Sequence, residues 1–305
     1  MTELQLSFLM DLVINYVVIT GIANLAFGRG NIWVVGHGSL LACGGIYAWA
    51  AFEYSAPVGI VVAILAMLFW SMLLSLGAVS LRGDRFIVVS LASAYAAYSM
   101  SIAVFGDGVR DVPGALTYSG KLEVVLAAFC VAVILTVYLV GLSRSKLDPI
   151  LMIARDEPIV LDTSGLPSKP TIFWLHLISC IPVGLIGILA VVFETGYSAN
   201  LHSITYCLLL FVVVFGFGTN TVIGCVAAAF CVTTLERAIE IALASQWADP
   251  LFSEVLRYFG MSRGTETASN IAVPLTQGIL AVFLIFAVRY RPEGLFGKES
   301  RWIRK

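Results

Sequence analysis

The residues that most often carry out catalysis form no recognisable catalytic motif in this sequence. The three histidines, His37, His176 and His202, belong to different segments. None of the six cysteines forms a CxxC pair, and none has a histidine at metal-ligand spacing. The sequence contains no Walker A phosphate loop, no HExxH and no GxSxG in a usable context. We therefore expect no catalytic site, metal or cofactor in this chain; if ATP drives it, a partner chain hydrolyses the ATP.

His37 has the most informative surroundings of the three histidines. Gly36 and Gly38 flank it and Ser39 follows, all inside an apolar segment. Glycine weakens a helix, and unwound backbone at membrane depth must face protein or a water-filled cavity. Discontinuous helices of this kind build transport sites, but small residues that let helices pack closely give the same pattern. His37 is therefore a packing residue, a hydrogen-bond donor lining a pore or a proton carrier.

A second interruption lies in the other half of the chain, where residues 215–221 read FGFGTNT. Glycine, hydroxyl and amide groups again break an apolar run, at Gly216, Gly218 and Thr219. One interruption in each half is the pattern expected of a transport site built from two repeats. The sequence shows no clear internal repeat to accompany it.

Four ionisable residues also lie in apolar segments, where charges are costly and usually paired or functional. These are Asp11 near the start and Glu236, Arg237 and Glu240 further on. Glu236 and Glu240 share a helix face, and Arg237 is able to pair with Glu240 three residues away. The last three can equally lie near the external surface, so we infer no ion-coupling mechanism from them.

The composition shows which kind of element must position these residues. The chain is 59% hydrophobic and 12% charged, with a mean hydropathy of +0.95, whereas soluble domains are about 45–50% apolar and about 25% charged. The net charge of −1 gives no electrostatic basis for binding nucleic acid. We predict an all-α polytopic membrane protein forming a single domain over 1–305. About nine transmembrane helices (8–10), some discontinuous, are expected near 5–27, 32–52, 58–80, 86–105, 122–142, 172–193, 203–217, 220–243 and 271–290.

Basic residues indicate the orientation of these segments. The tail at 291–305 and the loop at 143–170 together hold many of the 18 basic residues, and such residues concentrate on the cytoplasmic side. The predicted N-terminus is therefore external and the C-terminus cytoplasmic. The long external loop at 244–270 is either functional or a solvated connector. The first residues lack the basic stretch of a cleavable signal peptide, so the first segment is expected to be a retained span.

The cytoplasmic loop at 143–170 contains a short amphipathic element. Asp148 is a candidate N-cap, Pro149 suits the first helical position, and the helix is expected to stop before Pro158. An exposed helix with an apolar side needs a partner surface or lipid headgroups. It is therefore either a docking element for a cytoplasmic motor or an interfacial helix on the membrane. Its apolar side comprises Ile150, Leu151, Ile153 and Ala154. Its charged end comprises Arg155, Asp156 and Glu157.

Four stretches, in the expected order, resemble the permease subunits of bacterial branched-chain amino-acid ABC importers and of related urea and amide importers. The segment from NLAFG (24–28) to GHGS (36–39) resembles the family's "NLxxG" to "SLGHAAF". LRGDRF (81–86) resembles "RLRGDYFA", and the loop at 143–157 resembles the family's coupling loop. RPEGLFG (291–297) resembles the terminal "RPxGLFG". The resemblance covers residues from about 10 to about 298.

The resemblance implies half of the translocation pathway of an importer in the bacterial inner membrane. Its partners would be a second related permease, two cytoplasmic ATPases that bind ATP and Mg²⁺, and a periplasmic solute-binding protein. It adds Asn24 to the candidate substrate pathway, assigns ATPase coupling to the helix at 148–157, and places Arg82, Gly83 and Asp84 at the cytoplasmic mouth, where an ion pair between Arg82 and Asp84 is expected. The expected solutes are branched-chain amino acids.

This sequence departs from the family pattern in ways that leave the solute open. Asp148 and Pro149 replace the glycine of the coupling loop, and FGFGT at 215–219 replaces the family's "GGLGS" turn. Urea, short amides or another small organic solute therefore remain alternatives, as do sugars or nucleosides within the superfamily. An ion-coupled secondary transporter that depends on Asp11 or Glu236, and a membrane scaffold without a pore, are the rival classes.

Overall fold

The computed structural model describes residues 3–23, 36–81, 84–105, 110–111, 118–156, 158–197, 204–217 and 222–244, with scattered helical residues between 278 and 290. The fold over these ranges is all-α apart from one minimal two-stranded ladder. The elements are α1 (Glu3–Ala23), α2 (Gly38–Leu41), α3 (Cys43–Glu53), α4 (Ala56–Ser80), α5 (Asp84–Phe105), β1 (Arg110–Asp111), α6 (Tyr118–Arg144), α7 (Leu147–Asp156), α8 (Pro158–Thr163), α9 (Ser168–Glu194), β2 (Gly196–Tyr197), α10 (Ile204–Phe217) and α11 (Val222–Ala244).

Six helices in this part of the chain are long and apolar enough to cross a membrane: α1, α4, α5, α6, α9 and α11. Each corresponds to a predicted span, so the all-α polytopic membrane fold is confirmed. The ninth predicted span, 271–290, lies largely outside the described residues. The predicted total of nine crossings stays a prediction.

The second and seventh predicted spans are the two that the sequence marks as interrupted. The second contains a turn at Gly36 and His37, the four residues of α2 and the 11 residues of α3. The seventh is α10, whose 14 residues end at Phe217. A membrane crossing needs about 20 helical residues, and the described lengths of α3 and α10 are both shorter than that.

Helices α1 and α9 form the centre of the bundle. Helix α9 contacts α1, α2, α3, α4, α6 and α7, and both central helices are buried along most of their length, whereas α4, α5 and α6 expose most of theirs. Apolar side chains surround each of these helices. In lipid such a helix needs no polar face, because the hydrocarbon is a suitable solvent for the outer surface.

Close approach of backbones fixes the broken segment against its neighbours. A Cβ atom added to Gly44 on α3 would collide with the carbonyl oxygen of Gly187 on α9. One added to Gly187 would lie 2.7 Å from Cα of Leu41. Only glycine permits this separation, and small residues are the usual means by which membrane helices pack closely.

Strands β1 and β2 form an antiparallel ladder that the sequence analysis did not predict, with Arg110 opposite Tyr197 and Asp111 opposite Gly196. Tyr197 is 1% exposed and donates a hydrogen bond from its hydroxyl to Ser101 on α5 at 2.7 Å. Burial raises the pKa of the Tyr197 phenol, so the hydroxyl keeps its proton and remains a donor. The ladder thereby connects the end of α9 to α5.

The loop at 143–170 contains two helices where one was predicted. Helix α7 ends before Pro158 as expected, but it begins at Leu147, and the Ser145 hydroxyl accepts a hydrogen bond from the Leu147 N–H at 3.2 Å. Asp148, the predicted N-cap, therefore lies within the first turn of α7 rather than before it. Helix α8 was missed, although Pro158 at its first position is a recognised start signal.

Candidate functional site

The first predicted interruption forms a compact turn inside the bundle. Gly36 and His37 form the turn, and Gly38 begins α2. A Cβ atom on Gly36 would collide with the carbonyl oxygen of Ser90 on α5, so the turn is pressed against that helix. The structure therefore brings Gly36, His37, Gly38 and Ser39 together where α1, α5 and α9 meet.

Ser39 is the centre of a small polar network. Its hydroxyl donates to the Gly36 carbonyl at 2.6 Å. It accepts from the Trp70 indole N–H at 3.2 Å and from the Ser93 hydroxyl at 3.1 Å. One serine therefore ties the turn to α4 and α5, and its side chain is almost wholly buried. Neither Trp70 nor Ser93 stands out in the sequence.

A cavity of about 360 Å³ begins at Ser39, lies between α3, α4 and α5 and opens at the outer surface of the bundle, where Phe69 and Met100 in its wall are 63% and 64% exposed. The hydroxyls of Ser39 and Ser101 and the indole of Trp70 are its main polar groups, while aromatic and aliphatic side chains form the rest of the wall. Pockets for small molecules commonly have this character, a mostly apolar lining with a few placed polar groups. The lining comprises Ser39, Ala42, Cys43, Gly45, Ile46, Trp49, Ala66, Phe69, Trp70, Ala97, Met100, Ser101 and Val104.

His37 and His176 form a buried pair beside this turn. Both side chains are inaccessible to solvent, and their ring centroids are 6.1 Å apart. Ser75 donates its hydroxyl hydrogen to the Ser71 carbonyl at 2.7 Å, and the same oxygen lies 3.0 Å from Nδ1 of His176. This arrangement fits an Nδ1–H tautomer of His176, because the hydroxyl hydrogen is already used. Among the described residues, neither ring nitrogen of His37 has a hydrogen-bond partner.

The second predicted interruption is only partly described. Gly216 is buried at the end of α10, and α10 contacts α1, α2 and α5. The helix that carries Gly216 therefore reaches the broken segment, as a site built from both halves requires. Asn24, Gly218 and Thr219 lie outside the described residues, so their assignment to a pathway stays a prediction.

The predicted coupling residues divide between two faces of α7. Leu151 and Ala154 are buried against the bundle, whereas Ile153 is 41% exposed and Ile150 is half-buried. The apolar side is therefore not one free surface, because half of it packs inward. Asp148 and Pro149 lie in the first turn and Arg155 and Asp156 in the last, and Glu157 lies outside the described residues.

Helix α8 extends the exposed apolar surface that α7 begins. Ile159 is 73% exposed and Val160 is 50% exposed, while Leu161 turns inward at 2%. The Asp162 carboxylate accepts hydrogen bonds from the Ser168 N–H at 2.7 Å and the Ser168 hydroxyl at 3.0 Å, which holds the loop against the start of α9. All five of Leu147, Ile153, Ile159, Val160 and Leu166 are exposed. We call them the cytoplasmic apolar surface, a name that follows the orientation predicted from the sequence.

The predicted mouth residues are described only in part. Arg82 and Gly83 lie outside the described residues, and Asp84 is the first residue of α5. The expected ion pair between Arg82 and Asp84 stays a prediction. The polar residues of α1 and α11 form a separate seam, in which Arg237 pairs with Asp11, a partner that the sequence analysis did not consider.

The described residues contain no group of three or more His, Cys, Asp and Glu side chains able to hold a metal ion. All six cysteines are free, and Cys180 lies against His176 with Sγ 3.4 Å from Nδ1. This contact is between two residues one helical turn apart on α9. This i, i+4 spacing, which metal ligands also use on helices, was overlooked in the sequence. No third His, Cys, Asp or Glu side chain joins the two among the described residues.

Comparison with known proteins agrees with this architecture. The family model for the permease component of the branched-chain amino acid transport system matches residues 9–288 of the 305. Comparisons with curated proteins and with solved structures give no significant match. The matched region includes the broken segment, the cavity and helices α7 and α8. This chain is therefore a multi-pass membrane protein of the branched-chain amino acid transport permease family.

Proposed function

We propose that this chain is the permease subunit of an ABC importer and forms half of the translocation pathway for a small solute, most fittingly a branched-chain amino acid. The observation that carries the proposal is the cytoplasmic apolar surface of α7 and α8. In the predicted orientation it lies on the side where ATP is available. The partners would be a second permease, two ATPase subunits and a solute-binding protein, assembled at the inner membrane of a bacterium.

The charge around this surface favours a protein partner over a lipid surface. Helices that lie on membranes usually carry Lys and Arg on their polar side. Here Arg155 is the only basic residue in 147–166, among four acidic ones. The helical segment therefore offers anionic headgroups little attraction, because Arg144, Lys146 and Lys169 of the same loop lie outside it. The acidic residues of 147–166 are Asp148, Asp156, Glu157 and Asp162.

The lining of the cavity suits the aliphatic side chain of an amino acid better than urea, although it offers no charged partner for the ammonium and carboxylate groups. Urea offers only polar atoms, and each would need a hydrogen-bond partner once it leaves water. The wall between α3, α4 and α5 provides few, whereas Ile46, Phe69 and Val104 suit an aliphatic side chain. The cavity volume of about 360 Å³ lies at the small end of the usual range for ligand pockets, about 300–1,000 Å³.

Replacing Ile159 by Asp tests the docking role. A charge at the most exposed position of the cytoplasmic apolar surface should prevent an ATPase subunit from covering it. We expect the Ile159→Asp variant to insert normally but to lose copurification of the ATPase subunits and ATP-dependent uptake. The Ile153→Asp variant should behave in the same way, because Ile153 belongs to the same surface.

A matched control places the same charge on a polar neighbour. Ser143 is exposed at the end of α6, and Ser143→Asp should leave copurification and uptake unchanged. Normal uptake in both isoleucine variants would contradict the docking role. A defect confined to membrane insertion would assign the surface to lipid contact instead.

A further inference from the structure

The inward face of the coupling helix belongs to a buried cluster that reaches toward the middle of the bundle. Leu151 on α7 is 7% exposed. Side chains from α4, α5, α6 and α9 pack in the same cluster, so a movement of α7 displaces side chains on each of these helices. The members of the cluster are Ala78, Phe86, Leu142, Leu151, Ile172 and Leu175.

Phe86 is the member of this cluster that faces the histidine pair. Its side chain is 1% exposed. Its ring meets the ring of His176 edge to face, with centroids 5.5 Å apart and an interplanar angle of 82°. Gly77 on α4 provides the space for the ring, since a Cβ atom there would lie 3.3 Å from it. Phe86 is thus held between α4 and α9, with little room to move independently.

His176 continues the contact to the broken segment. Ser75 fixes the orientation of the imidazole through the 3.0 Å contact at Nδ1. The centroid of this ring lies 6.1 Å from that of the His37 ring. His37 lies in the turn between Gly36 and Ser39, whose hydroxyl donates to the Gly36 carbonyl. Buried side chains therefore lie in series from the cluster that contains Leu151 and Phe86 to His176 and His37. From His37 the backbone of the turn continues to Ser39 at the floor of the cavity.

We propose that Phe86 and His176 are positioning residues that transmit the movement of α7 to the turn at Gly36 and His37, and so control access to the cavity. This inference rests on the proposed function, because the movement would begin with the ATPase subunits. Close-packed interiors transmit displacement because they contain few voids to absorb it. Packed cores change between discrete arrangements rather than deforming continuously, so a displacement of α7 would reach the turn as a change of packing.

The test uses the assembled importer and a thiol placed in the cavity wall. An Ile46→Cys substitution, in a chain with Cys43, Cys130 and Cys231 replaced by alanine, reports access to the cavity. Labelling of the introduced thiol by a water-soluble maleimide is compared without nucleotide and with ATP under non-hydrolysing conditions. For the otherwise unaltered chain we expect the labelling rate to differ by about tenfold between the two states, a typical coupling between distant sites.

Phe86→Leu should remove most of this difference. The substitution keeps an apolar side chain but loses the ring that contacts His176. The ATPase subunits should still copurify and hydrolyse ATP at the basal rate, while nucleotide no longer changes labelling and uptake falls about tenfold. Phe129→Leu, the same change at an exposed position on α6, should behave as the unaltered chain. If Phe86→Leu fails to assemble, Phe86→Met decides the question, because it preserves volume and apolar character.

The outcomes separate this inference from the proposed function. A nucleotide-dependent difference that persists in an assembled Phe86 variant would overturn the role of Phe86 and leave the importer assignment standing; the movement would then pass along the backbone of α9. Absence of any difference in an unaltered chain that still shows ATP-dependent uptake would overturn this inference alone. Failure of the unaltered chain to copurify ATPase subunits or to show ATP-dependent uptake would overturn the proposed function. Loss of the difference in Phe129→Leu as well would also overturn the specific role, since the effect would then be a general one.

Discussion

The Arg237 guanidinium on α11 donates a hydrogen bond to the Asp11 carboxylate on α1. The same nitrogen also donates to the Ser7 hydroxyl at 2.5 Å. One turn further along α1, Asn15 donates to Thr233 at 2.9 Å. The two helices are therefore antiparallel and joined by paired polar groups. Because Asp11 is already paired with a cation, its charge is better explained as a link between helices than as an ion-coupling group.

Asp11→Asn should weaken the protein without stopping transport. A hydrogen bond to a charged group contributes about 1.5–3 kcal/mol, and both partners here are about 30% exposed, so we expect a loss of about 1–2 kcal/mol. Thermal unfolding of the purified protein in detergent measures this loss. ATP-dependent uptake should remain within about twofold of the unaltered chain.

Glu3→Gln is the matched control for this substitution. Glu3 lies on the same helix, is 75% exposed and has a long 3.7 Å contact with Lys121, so its loss should not change the unfolding temperature measurably. An Asp11→Asn protein with normal stability and no uptake would support the rival ion-coupled transporter.

Gly36→Ala should prevent normal folding of the broken segment. The new methyl group would collide with the Ser90 carbonyl, a backbone atom that cannot turn aside. Overpacking typically costs about 1–3 kcal/mol, and a backbone collision belongs at the upper end or beyond. Yield of folded protein after size-exclusion chromatography gives the measurement.

Gly141→Ala provides the comparison, because a Cβ atom at Gly141 meets nothing within 4 Å. Alanine in an exposed helical position is favoured over glycine by about 0.5–1 kcal/mol, so this variant should fold at least as well as the unaltered chain. Equal yields for the two variants would show that the turn does not press against α5.

The sequence predicted the interruptions because their signals are local. Glycines on both sides of His37 and at Gly216 break apolar runs, and the structure has a turn at Gly36 and the end of α10 at Phe217. Proline likewise predicted the end of α7 before Pro158. The buried and exposed faces of α7 could not be distinguished from the sequence, because burial of Leu151 depends on residues from four other helices.

The partners of the site residues were not predictable for the same reason. Trp70 is 31 residues from Ser39, and His176 is 101 residues from Ser75. Each of them lies in a uniformly apolar helix, where no periodic pattern distinguishes one face from another. The pairing of Asp11 with Arg237 spans 226 residues. Only the packing of α1 against α11 brings these two residues together.

Trp70→Phe should impair transport more than the same change at Trp49. Trp70 donates to Ser39 and so holds the floor of the cavity, whereas Trp49 lines the wall and contacts Tyr54 through its ring. One hydrogen bond contributes about 0.5–1.5 kcal/mol. If the transport-competent state loses that stabilisation, the uptake rate should fall about two- to tenfold. Initial rates of uptake over a range of solute concentrations measure it. Equal effects at the two positions would contradict the role given to Ser39.

Ala66→Phe should obstruct the proposed pathway. Ala66 lines the cavity from α4, and a phenyl ring there would occupy much of the available space. We expect uptake to fall about tenfold or more, while assembly with the ATPase subunits is retained. Ala96→Phe is the control, because Ala96 is exposed on α5 and is not part of the lining. Unaltered uptake in the Ala66→Phe variant would exclude this cavity from the pathway.

The most direct test of the central claim is the energy source of uptake in reconstituted vesicles. The vesicles contain this chain, its second permease and the ATPase subunits. Labelled leucine and the solute-binding protein are added outside, and ATP is placed on the side that the ATPase subunits face. We predict uptake that requires ATP and is unaffected when proton and sodium gradients are abolished. Leucine uptake by this chain alone, driven by an ion gradient without ATP, would contradict the account.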